Sequence, residues 1–211
     1  EKPAGLLMHP SHTRNEGTLA NFLAGYYRQT GQRCAVHPVS RLDRDTFGVV
    51  LLAKNAYVHE LMRRQHAEGA IQKTYHAAVF GIPEAPEGLI DAPIARCEGD
   101  SLLRELRADG KPARSRYRVL ETRNGCAKLE LSPLTGRTHQ LRLHCRALGC
   151  PILGDPQYGT AESLAFSAQH GIAGQQLCAV SLRLVHPITK KTLEIRARTD
   201  VLLDFPTPEV V

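Results

Sequence analysis

The chain has 211 residues, 42% of them apolar and 23% charged, with a formal net charge of +6. That is the balance of an ordinary globular protein with enough length for one good core or two small lobes. It contains no apolar run of the roughly 18 to 20 residues that a membrane helix needs, and it opens on no signal peptide. The six cysteines form no Cys-x-x-Cys pair, so reduced thiols are expected. The positive balance favours a polyanionic partner. With no Trp and 5% aromatics, any base stacking must rest on a few Tyr, Phe, His or Arg planes.

Lys2-Pro3-Ala4-Gly5 reads as a turn, followed by a short extended segment through Pro10. Thr18 is expected to cap a helix that Gly31 ends, with Leu19, Phe22, Leu23, Tyr26 and Tyr27 spaced to pack into the core. His37-Pro38 leads to a knot of charge, Arg41, Asp43, Arg44 and Asp45. The knot runs into Val49 to Ala53, a β-branched run that predicts a strand buried on both faces. Ala56 to His66 reads as a helix stopped by Gly69, with Tyr57, Leu61 and Met62 inward and Arg63, Arg64 and His66 outward.

Gln72 to Phe80 reads as a strand. Pro83, Pro86, Gly88 and Pro93 then break regular structure. Arg114, Arg116 and Arg118 alternate with Ser115, Tyr117 and Val119, so a strand here puts three guanidinium groups on one face. That stripe is either a solvated sheet face or a track for phosphates. Asn124-Gly125 between two strand-like runs predicts a hairpin, with the second strand over Ala127 to Leu131. Thr138 is expected to cap a helix running to Leu148, with His139, Arg142 and Arg146 sharing a polar face. Its basic N-terminus beside Arg137 suits an anion. Gly154 to Gly159 is a turn cluster, Ala161 to Gln169 a short helix, and Leu177 to Val185 with Thr192 to Ala197 an antiparallel pair. The tail from Phe205 is expected to be edge structure or loose. These elements make an α+β protein, and the absence of any repeat or internal linker makes one folding unit the simplest reading.

His139 and His144 are five residues apart and so miss the i, i+4 spacing of a helical zinc pair. Phosphate-loop, dinucleotide-binding and Gly-x-Ser-x-Gly patterns are absent. No metal and no cofactor are therefore expected. What remains is a carboxylate among arginines. Either Asp43 or Asp45 could attack an electron-poor carbon if a cation such as Arg137 kept it ionised, or the knot could be an ion-paired loop and nothing more.

At this point a family comes into view. The blocks Lys2-Pro3-Ala4-Gly5, Arg41-Leu42-Asp43-Arg44-Asp45-Thr46 with Gly48, Lys73-Thr74-Tyr75, and Gly110-Lys111-Pro112-Ala113 follow one another in order. Thr135 to Arg142 with His144, Gly154-Asp155 with Tyr158-Gly159, and His186-Pro187 complete the set. In their joint order and spacing they resemble the RluA-type pseudouridine synthases over most of the chain. Ser40 and Phe47 depart from that pattern, which usually has His before Arg-Leu-Asp and Ser before the Gly. The resemblance implies that Asp43 is the catalytic residue and Asp45 loop support. It implies that Tyr75 stacks on the target base or moves its proton, and that Arg137 pairs with Asp43. Arg41, Arg44, Lys73, Arg114, Arg116, His139 and Arg142 are expected to contact RNA. It further implies a mixed, largely antiparallel bent sheet with flanking helices, in two lobes around a catalytic cleft. Residues 1–211 would form the catalytic domain, with the strand and any small RNA-binding domain that often precede it lying upstream. The expected activity is isomerisation of uridine in ribosomal or transfer RNA by a cytoplasmic protein, monomeric by preference. The competing reading is a non-catalytic RNA-binding module or chaperone on the same fold.

Overall fold

The structure, a computed structural model, describes residues 1–10, 15–99 and 103–202. The tail from Phe205 lies outside the described residues. The fold is mixed α+β, and the described residues divide into two compact units: those within 1–73 with 179–199, and those within 74–178 with 200–202.

In the first unit, helix α1 (Leu19–Gln29) opens on Thr18, whose hydroxyl and the Asn21 side chain cap each other's backbone amides. It closes at Gly31, which takes the left-handed φ of 67° that a helix C′ position favours. The expected inward face is only partly realised: Tyr27 is buried, but Phe22 and Tyr26 are 62% and 53% exposed. Strand β1 (His37–Pro38) is followed by β2 (Phe47–Gly48) and β3 (Leu52–Ala53). Of the single strand expected over Val49 to Ala53, only Leu52 and Ala53 are strand, and Val49 to Leu51 are not. Gly48 and Val49 serve one set of partners, Lys2 and Ala179, while Leu52 and Ala53 pair antiparallel with β1. Gly48 makes the close approach to Ala179 possible. Its φ is +106°, and a Cβ there would lie 2.3 Å from the Ala179 carbonyl oxygen.

Helix α2 (Ala56–Ala67) is capped by the Asn55 side chain and buries Met62; Tyr57, expected inward, is 68% exposed. Met62, Val49, Ile71, Leu182 and Leu184 form the unit's apolar core. The chain enters the second unit inside β4 (Gln72–Phe80). Next come β5 (Glu87–Asp91), the short pair β6 (Ile94–Arg96) and β7 (Arg104–Leu106), β8 (Arg114–Arg123) and β9 (Cys126–Pro133). Strands β4, β9, β8 and β5 lie side by side in that order, each pair antiparallel. Asn124 and Gly125, both at positive φ, make the β8–β9 hairpin turn, and the pairing register shifts between Val119 and Glu121. Helices α3 (Gln140–Ala147) and α4 (Ala161–Gln169) follow, then β10 (Leu177–Val185), in which the chain returns to the first unit, and its antiparallel partner β11 (Thr192–Arg196).

Gly48→Ala is expected to cost more than about 2 kcal/mol, because it combines backbone strain at positive φ with a clash against fixed backbone. Urea unfolding of the variant checks this.

Candidate active site

Asp43 sits in a loop that is pinched shut where β1 ends and β3 begins. The amides of Val39 and Ser40 both donate to the Leu51 carbonyl, at 2.9 and 3.3 Å. In return the Leu51 amide donates to the Ser40 hydroxyl at 3.1 Å. Ser40, a departure from the family pattern, therefore acts as a loop closure. Within the loop Leu42 and Thr46 are buried, Asp43 and Asp45 are half-buried, and Arg41 and Arg44 face solvent. Leu42 anchors the segment from beneath while its neighbours stay accessible.

The two acids have different surroundings. Asp45 takes a forked ion pair from Arg44, with Nε and a terminal nitrogen at 2.9 to 3.1 Å. Arg44, expected to contact RNA, is thus engaged with its neighbour. Arg41 is exposed, and among the described residues no hydrogen bond or ion pair engages its guanidinium.

Lys2 supports this loop from below. It is 1% exposed, and its ammonium donates to the carbonyls of Pro3, Leu6 and Arg44 at 2.7 to 2.9 Å. Burial lowers its pKa from 10.5 to about 8, opposed by the nearby charges of Asp45 and Asp43. Between those values the unfolded chain holds the proton and the folded chain does not, so this group makes stability rise with pH. The stability gap between the native protein and Lys2→Met is expected to widen by roughly 1–3 kcal/mol from pH 7.5 to 10.5 in urea melts.

Lys73, the last residue of the first unit, is half-buried and donates to His66 Nε2 at 2.6 Å. Burial lowers the pKa of both groups, and the charge of Lys73 lowers that of His66 further.

In the second unit Tyr75 is buried on β4, opposite Leu131 of β9. Arg137 lies in an exposed turn before α3, with Nε donating to the Pro112 carbonyl at 3.1 Å. The turn is held by Gln140, which is buried and fully satisfied. Its carbonyl oxygen accepts the Thr135 hydroxyl and the Arg137 amide. Its amide nitrogen donates to the Arg114 carbonyl and the Ser115 hydroxyl. Ser115 in turn bonds His144 Nδ1, and His144 Nε2 reaches the Ala92 carbonyl. Burial lowers the His144 pKa, so this ring is a neutral structural link.

Two expectations for α3 are overturned. Thr138 does not cap it: His139 occupies that position in a left-handed conformation, φ 58°, with no side-chain cap. Arg142 is not on an open polar face. It is 5% exposed, and its guanidinium forms a fork with Asp155, 2.7 Å on each arm, and also donates to Gln157. The helix pattern showed its polar character but could not show a buried carboxylate waiting thirteen residues later. His139 Nδ1 lies 2.7 Å from the Tyr158 hydroxyl.

Arg114 and Arg116 project from the exposed side of β8, as the alternation predicts, and no ion pair engages either among the described residues. Arg118 instead pairs with Glu130 at 3.0 Å. Arg116 and Arg118 border an open groove of about 500 Å³ with Glu87, Leu89 and Ser132. Among the described residues no three His, Cys, Asp or Glu side chains are grouped to hold a metal, and no helix is long and apolar enough to cross a membrane.

Against this geometry the sequence profile described as RNA pseudouridylate synthase matches residues 1–147, a span that includes Asp43, Tyr75 and Arg137. The chain belongs to the RNA pseudouridylate synthase family. A relative from Chloroflexus aurantiacus named an uncharacterized RNA pseudouridine synthase is 40% identical over 199 residues, 93% of this chain and 61% of that one. The ribosomal large subunit pseudouridine synthase C of Vibrio cholerae is 34% identical over 203 residues, 96% of this chain and 63% of that one. Both are therefore longer than the chain described. Among solved structures, human RNA pseudouridylate synthase domain containing 1 superposes with a TM-score of 0.72 at 26% identity, covering 86% of this chain and 74% of that one.

Proposed function

We propose that the protein is an RNA pseudouridine synthase that isomerises particular uridines of ribosomal or transfer RNA, with Asp43 as its catalytic carboxylate. The observation that carries this reading is the family match across residues 1–147, together with an Asp43 held on a short closed loop. The reaction breaks the bond from N1 of uracil to C1′ of ribose and forms one from C5 to C1′. The proton on C5 leaves and N1 gains one, so the process is an isomerisation without net redox change. Asp43 works as an anion, toward C1′ or toward a proton. Tyr75 stacks on the extruded uracil, and Arg137 pairs with the Asp43 carboxylate. The uridine must leave its stack, which demands a grip on the flanking phosphates. Arg41, Arg114 and Arg116 supply it, with Lys73, Arg44 and His139 adding contacts. The protein acts as a cytoplasmic monomer without metal or cofactor.

RNA carrying tritium at uracil C5 tests the reading. Release of label to water is expected on a ribosomal or transfer RNA, whereas salt-sensitive binding with no release from any RNA tried would fit an RNA-binding module instead. Arg116→Ala is expected to weaken RNA binding similarly across sequences and to reduce the slope of log affinity against log salt by about one. A filter-binding titration over several salt concentrations measures it.

A further inference from the structure

The motif Asp155-x-x-Tyr158, which the reaction above leaves without a role, lies behind the turn that carries Arg137. Tyr158 is 4% exposed, and its hydroxyl stands at a junction. The backbone amide of Arg104, at the start of β7, donates to it at 3.1 Å, and His139 Nδ1 lies 2.7 Å away. With its oxygen already accepting Arg104, the phenol has its own proton for His139. That assignment leaves Nδ1 as the acceptor and puts the ring proton on Nε2. Burial raises the Tyr158 pKa, so the phenol keeps this proton over the physiological range.

The phenol cannot swing away. Its ring has the Arg142 guanidinium over its face at 4.7 Å and the His139 ring against its edge, centroids 5.5 Å apart. Arg142 is fixed by the Asp155 fork, and the same carboxylate accepts the amides of Gln157 and Tyr158 at 3.0 and 3.1 Å. The far end of the chain of contacts, His139, is one of three non-glycine residues at positive φ among those described, and it stands two residues after Arg137. A left-handed histidine is held only where its surroundings over-determine it. Gln140 fixes the turn from the β8 side, and Tyr158 fixes it from the other.

We propose that Tyr158 is a positioning residue for the reaction: its hydroxyl, clamped by Arg142 and Asp155, orients His139 and through it the bend that aims Arg137. The proposal rests on the pseudouridine synthase reading for its kinetic consequence but not for its structural one. Tyr158→Phe keeps the ring, its packing and the Arg142 contact, and deletes the hydroxyl that meets His139 and accepts the Arg104 amide.

In the free protein, nitrogen NMR of His139 is expected to show the Nε2–H form, and Tyr158→Phe is expected to shift it toward a mixture of the two tautomers. On substrate RNA the variant is expected to lose turnover on the order of 10- to 100-fold with KM within about twofold, the effect of a misaimed rather than a missing group. In a His139→Ala background the same change is expected to do almost nothing further, since its route to Arg137 is gone. An unchanged His139 spectrum overturns the proposal, as does a turnover loss that persists undiminished without His139. Inactivity of the unaltered protein on every RNA overturns the isomerase reading instead, and the NMR result still decides whether Tyr158 holds His139.

Discussion

Asp43→Asn is expected to lower the rate of tritium release from uracil C5 by on the order of 10⁴-fold or more, because in the proposed reaction no other group replaces its carboxylate. The substitution keeps the shape of the side chain and one acceptor oxygen, and Leu42, buried beside it, still anchors the loop. RNA affinity is therefore expected to stay within a few-fold and unfolding free energy within about 1 kcal/mol. Asp45→Asn gives the contrast. Its carboxylate is taken by exposed Arg44, a surface pair worth about 1 kcal/mol or less, and turnover is expected to stay within about fivefold. If the two substitutions proved equally damaging, the division of roles between these acids would be wrong.

Arg142→Ala is expected to be the most destabilising change in the second unit. It strands the Asp155 carboxylate, 1% exposed, without its counter-charge, and breaking a buried pair in this way costs about 3–5 kcal/mol. For a chain of this length that corresponds to a fall in melting temperature of roughly 10 °C. Arg142→Met with Asp155→Asn removes both charges while leaving an acceptor for the Gln157 and Tyr158 amides, and is expected to cost less than Arg142→Ala alone. Calorimetry of the three proteins decides the matter, and a loss below about 1 kcal/mol for Arg142→Ala would refute the buried-pair account.

Local chemistry made much of the fold legible. The β-rich run Gln72–Phe80, the Asn124-Gly125 turn, the helix Ala161–Gln169 and the strand Leu177–Val185 stand where the sequence puts them, because turn residues and periodicity act over a few positions. Partner choice was not legible. Phe22 and Tyr26 have core spacing, but spacing cannot say how much of an apolar face finds a covering element. Val49 to Ala53 looked like one strand because apolar, β-branched character runs through it, whereas the hydrogen bonds change partner between Val49 and Leu51. In the candidate site, the motif blocks point to Asp43, Tyr75 and Arg137, but nothing local shows that Gln140, Ser115 and His144 form one buried chain. Polar residues at inward helix positions were the available signal.

The pinch between residues 39–40 and 51 has a further consequence for the reaction. A loop whose two ends are tied together by backbone hydrogen bonds has little conformational entropy left to lose. The ordering of Asp43 is completed during folding, before any RNA arrives. On the function proposed above, substrate binding then does not have to freeze the reacting group on each cycle. Binding energy from the phosphates remains available for drawing the uridine out of its stack.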